Sequence, residues 1–146
     1  MVGNTRGEGG LFGAGRRASA RFYLSHIMFP VLDNVAASHS LTINDQVAKM
    51  IRNKDSLQSH LDDPKVVKKI EEASANPGVR FLLRHFKSYL SLSRDEVFDA
   101  LPWWIDRIEE TRPSFHKVLV EEPGGGEWFG NVLFETLTIF REYLKE

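Results

Sequence analysis

The amino-acid sequence predicts an all-α fold, a kinked bundle of five to seven helices behind an extended basic N-terminal arm. Apolar residues recur at the three-to-four spacing of a helix face through several long segments, and helix-start signals such as Asp63-Pro64 and Ser93-Arg94-Asp95-Glu96 precede some of them. No stretch sustains the apolar–polar alternation of a half-buried strand, and no repeat or heptad array competes.

Taken in order, the chain opens with GNTRGEGGLFGAGRRASAR, in which Gly takes six of the first 15 positions, so residues 1–18 form an arm rather than an amphipathic targeting helix. Residues 19–146 form a single helical domain. Its first helix carries Phe22, Tyr23, Ile27, Met28, Val31, Leu32, Val35 and Ala36 on one face, with a kink at Pro30. Thr42-Ile43-Asn44-Asp45 caps a short helix through Val47, Met50 and Ile51. The polar stretch 53–62 allows one helical turn around Leu57 and Leu61. Asp63-Pro64 opens a helix that Asn76-Pro77-Gly78 stops.

Val79–Leu90, apolar on two sides, reads as the central buried helix. The capping box at Ser93 opens a helix with Val97, Phe98, Leu101, Trp104, Ile105 and Ile108 on one face and a second kink at Pro102. Ser114–Glu121 suits either a helical turn or a strand. After the hinge Pro123-Gly124-Gly125-Gly126, the segment Glu127–Glu146 has the widest apolar stripe: Phe129, Val132, Leu133, Thr136, Leu137, Phe140, Tyr143 and Leu144. That stripe is expected to pack on residues 81–90 and 97–108 as the main core, with Gly130 marking a close approach.

Composition narrows the functional classes. At 146 residues one core suffices, and no apolar run reaches the length of a membrane-spanning helix. Without cysteine the chain has no disulfides, thiolate metal site or cysteine nucleophile. Net charge is −1, but residues 1–21 carry four arginines against Glu8, or +3, while the remaining 15 basic and 19 acidic residues give −4. A basic arm on a mildly acidic body favours an anionic partner for the arm.

Chemical motifs are sparse. The five histidines never pair at the i, i+4 spacing that shares a metal on one helix face, and His60-Leu61-Asp62-Asp63 serves capping as well as ligation, so neither metal nor cofactor is expected. Gly124-Gly125-Gly126 is flanked by Glu121, Glu122 and Glu127, the wrong charge for a phosphate loop. Trp103-Trp104 places two rings about 100° apart on a helix. Both cannot face one core, and Trp128-Phe129 repeats the arrangement, so Trp103, Trp104 and Trp128 are candidates for an interface between subunits.

Arg-x4-His occurs as Arg21–His26 and Arg80–His85. It resembles the signature of HEPN-type ribonucleases, whose likeness implies an Arg and His acting on an RNA phosphate; both copies depart from that family in placing Phe22 and Phe81 after the arginine. In layout the whole chain is similar to the major capsid proteins of filamentous archaeal viruses with linear double-stranded DNA, which have an N-terminal arm and a helical bundle. That resemblance implies phosphate contacts from Arg6, Arg16, Arg17 and Arg21, self-association or pairing with a paralogous subunit, and a place in a virion. The mildly acidic body departs from it. The expectation is a structural, non-enzymatic protein that assembles on nucleic acid, duplex DNA foremost, without reading sequence. The alternatives are a ribonuclease of a defence or toxin system and a helical protein–protein adaptor, either of them cytoplasmic.

Overall fold

A computed structural model describes residues 14–145, and among them every element is helical. Helix α1 (Ala14–Tyr23) begins ahead of the boundary at residue 18, so Arg16 and Arg17 sit on a helix. It passes through a π-helical turn (Leu24–Met28) directly into α2 (Phe29–Ser38). Pro30 has no N–H, and its ring crowds the carbonyl of the preceding turn. The wider π turn just before it accommodates that conflict, so the backbone stays helical through the position where the sequence places a kink. Tyr23, Leu24, Ile27, Met28, Val31, Leu32 and Val35 all stay buried along that rod.

Helix α3 (Ile43–Arg52) starts where Thr42 Oγ1 accepts the Asp45 N–H at 3.1 Å. A 3-10 turn (Leu57–His60) anchors the polar connection by burying Leu57, with Leu61 buried beyond it. Asp63 caps α4 (Pro64–Ala75) by accepting from the Lys65 N–H at 2.9 Å. Asn76 ends α4 and also caps α5 (Pro77–His85), taking the Gly78 and Val79 N–H groups at 2.8 and 3.1 Å.

Two segments differ from their sequence reading. Residues 79–90 are not one central helix: the backbone breaks at Phe86, between α5 and α6 (Lys87–Leu90). Phe86, Tyr89 and Leu90 are buried at and beyond the break, whereas Phe81 before it is 62% exposed. The Ser93 capping box is complete, with reciprocal bonds to Glu96 of 2.8 and 3.2 Å, yet its helix α7 (Arg94–Asp99) ends at Ala100. Pro102 then falls in the first turn of α8 (Leu101–Thr111), where a missing N–H costs nothing, and kinks no helix. Residues 113–121 form α9 (Pro113–Glu121), which resolves the helix-or-strand alternative.

The central element is α10 (Gly125–Leu144). Gly124 precedes it in the left-handed region at φ 83°, a conformation that favours glycine. Helices α4 to α9 and the 3-10 turn all touch α10, and Phe129, Val132, Leu133, Leu137 and Phe140 are fully buried there. A Cβ at Gly130 would lie 2.7 Å from the Phe98 ring, the close approach that the sequence anticipates. Beside this core, α2 packs on α3 and α4, and α1 lies on α8. None of the described helices is long and apolar enough to cross a membrane.

Candidate nucleic-acid interface

The arginines assigned to the arm divide in two. Arg6 lies outside the described residues. Arg16 and Arg21 are held by the helical body: Arg16 donates to Ser88 Oγ, and its own carbonyl accepts the Tyr89 hydroxyl at 2.5 Å. Burial pushes the Tyr89 phenol up, beyond the usual tyrosine range. Arg21 meets Glu110 at 2.9 Å, and Arg107 reaches the same carboxylate at 2.7 Å. The hydrogen bond from Arg107 foremost, with Arg21 adding to it, holds the Glu110 carboxyl below the usual range. Arg21 therefore already has an anionic partner within its own chain. Arg17 is partly buried on the same helix.

The tryptophans also find partners inside the chain. Trp104 is fully buried, with Tyr89 and Trp103 edge-on at 5.4 and 5.3 Å. Trp128 is buried too, and its Nε1–H donates to the Asp55 carbonyl at 2.7 Å. Trp103 is half-buried under the Arg107 guanidinium, 5.0 Å from the ring centre. The angular argument for Trp103-Trp104 holds in that one ring points to the core centre and its neighbour to the rim. Of the three, Trp103 has a face toward solvent.

A basic surface that the sequence reading passed over lies between α2 and α4. Asn34, Ala37, Ser38 and Ser40 form one wall of a cleft of about 450 Å³, and Lys65, Lys68, Lys69 and Glu72 form the other. Three ammonium groups against one carboxylate leave this cleft at +2. The 3.9 Å contact between Lys69 and Glu72 is exposed on both sides and neutralises little in water. On the facing wall Asn34 Nδ2 and Ser38 Oγ donate to the Pro30 and Val35 carbonyls at 2.8 and 2.7 Å, so the lysines carry the attraction for phosphate oxygens. The signal was present in the sequence as charge order. Lys65, Lys68 and Lys69 recur at three-to-four spacing along the first two turns of α4, behind its acidic N-cap Asp63, with Glu71 and Glu72 further along.

A second cleft of about 430 Å³ has the opposite sign, with Asp55, Glu127 and Glu135 against Lys54 beside Trp128. Glu135 accepts the Gln58 N–H at 3.0 Å, and burial raises its carboxyl above the usual range. This wall secures the 3-10 turn and repels a polyanion. The Arg-x4-His matches have structural partners as well. Arg80 donates to the Ser74 and Tyr143 carbonyls at 3.2 and 3.3 Å, and each histidine stacks on a phenylalanine, His26 on Phe22 and His85 on Phe81.

No family model, curated protein or solved structure matches the chain. The functional reading therefore rests on the chain's own surface chemistry.

Proposed function

We propose that the protein binds nucleic acid along the phosphate backbone without reading sequence, as a structural rather than catalytic component, and that copies assemble side by side on the polymer. The observation that supports this reading is the lysine cleft between α2 and α4, a concentration of positive charge on an otherwise mildly acidic body. The contact has two parts: Lys65, Lys68 and Lys69 on the body, and the basic N-terminal segment with Arg6 and Arg17, while Arg16 and Arg21 are held by Ser88 and Glu110. Lysine acts on phosphate as a point charge and lends itself to positioning rather than to reading base edges. A few such contacts are individually weak at physiological salt, so useful affinity comes from many copies on one polymer.

Salt-dependent binding to duplex DNA, single-stranded DNA and RNA tests this proposal. Replacing Lys65, Lys68 and Lys69 by Gln should reduce the slope of log affinity against log salt by roughly 2–3 on duplex DNA, equally for unrelated sequences. Removing residues 1–13, which leaves α1 whole, should reduce the slope by about 1 through loss of Arg6. No binding to any of the three polymers would overturn the reading. RNA cleavage that depends on His26 or His85 would replace it with the ribonuclease.

A further inference from the structure

His39 and His60 stand 21 positions apart in sequence, too far for the one-helix spacing rule to relate them, yet the fold brings their rings together. His39 follows the last turn of α2 and is exposed; His60 ends the 3-10 turn, with its side chain 12% exposed. His39 Nε2 and His60 Nδ1 lie 3.1 Å apart. The other nitrogen of His60, Nε2, faces the Asp55 carboxylate at 3.7 Å.

We propose that His39 Nε2 and His60 Nδ1 form an open site for a divalent transition-metal ion such as zinc, nickel or copper, with Asp55 orienting His60 from behind and water filling the remaining positions. With metal–nitrogen bonds of about 2.0–2.1 Å, nitrogens this far apart subtend roughly 100° at the ion, between the tetrahedral and square angles that these ions accept. Asp55 stands 3.7 Å from His60 Nε2, outside hydrogen-bond reach, and its negative charge favours the Nε2–H tautomer, which leaves the Nδ1 lone pair facing His39. In the metal-free chain the His39 Nε2–H fills the gap. When an ion binds, that proton moves through solvent to the exposed imidazole's Nδ1, so both rings ligate in neutral form. Among the described residues no third histidine, carboxylate or cysteine completes the set, so the ion keeps solvent-accessible positions.

Calorimetric titration of the untagged chain with zinc, nickel and copper chlorides tests this, with thermal unfolding as a second readout. One ion per chain is expected, with a melting temperature that rises with zinc concentration, copper bound most tightly, and no competition from magnesium or calcium. His39→Ala, at an exposed position, should weaken zinc at least tenfold. Asp55→Asn, which preserves side-chain shape, should weaken it tenfold to a hundredfold. Zinc affinity unchanged in His39→Ala, or no binding of any of the three metals at millimolar concentration, would overturn the proposal.

Discussion

Helices α10 and α4 obey opposite rules. α10 has an acid in its first turn, Arg141 in its last and a continuous apolar stripe toward the core. α4 has a narrower buried face of Val66, Ile70 and Ser74, and behind its acidic N-cap Asp63 the first turn carries Lys65, the charge the helix dipole disfavours there. In α10 propensity, pattern and electrostatics converge on one task, which is to be the post around which α4 to α9 pack. Where α4 departs from them, the departure puts three lysines on one cleft. Agreement between local rules marks the scaffold, and the basic face of α4 is the surface on which the proposed binding is to be tested.

The largest effect should come from removing the post's packing. Phe140 is fully buried, so Phe140→Ala is expected to lower unfolding stability by about 3–5 kcal/mol in denaturant titration. A loss under 1 kcal/mol would show that α10 is peripheral.

Gly130→Ala forces the Phe98 ring outward and should cost a net ~1 kcal/mol, after part of the overpacking is offset by better helix propensity. In a Phe98→Ala background the same change should become neutral or stabilising. Additive losses in the double variant would remove the close contact as their cause.

On α4 the sign reverses. Lys65→Glu restores the favoured charge to the first turn, so it should raise stability by about 0.3–1 kcal/mol while weakening nucleic-acid binding. A variant both less stable and unaltered in binding would break the contrast between the two helices.

The smallest effect lies within α10 itself. Because burial raises the Glu135 carboxyl in the folded state, the native chain keeps this proton at pH values where the unfolded chain has released it. Stability should fall as pH rises from the ordinary glutamate range through the raised value, and stay lowered above it. Glu135→Gln keeps an acceptor for the Gln58 N–H and should flatten that part of the urea-midpoint profile. An equal fall in both proteins would assign it to another group.

Much of the scaffold was readable. Thr42, Asp63 and Ser93 announce helix starts because their side chains answer amides within three residues, a local requirement with a local signature. The α10 stripe was readable for the same reason. What escaped depends on residues distant in the chain. Nothing between Val79 and Leu90 encodes the turn at Phe86; it follows from which apolar side chains find α10 and α1. Trp103 and Trp104 showed that two faces were occupied, but not that Tyr23 and Tyr89 of this same chain surround the buried ring. The lysine cleft was half-legible through the charge order of α4, while its opposite wall comes from α2. His39 and His60 had no sequence signal linking them.

The π turn ahead of Pro30 sets the phase between the two halves of its helix. A π turn holds more residues than an α turn while the helix continues on either side. Residues 14–23 and 29–38 are then two helical segments offset in phase across that turn. Each half has its own contacts, the first with α8 and the second with α3 and α4, so the phase offset sets which residues of each half meet those different neighbours.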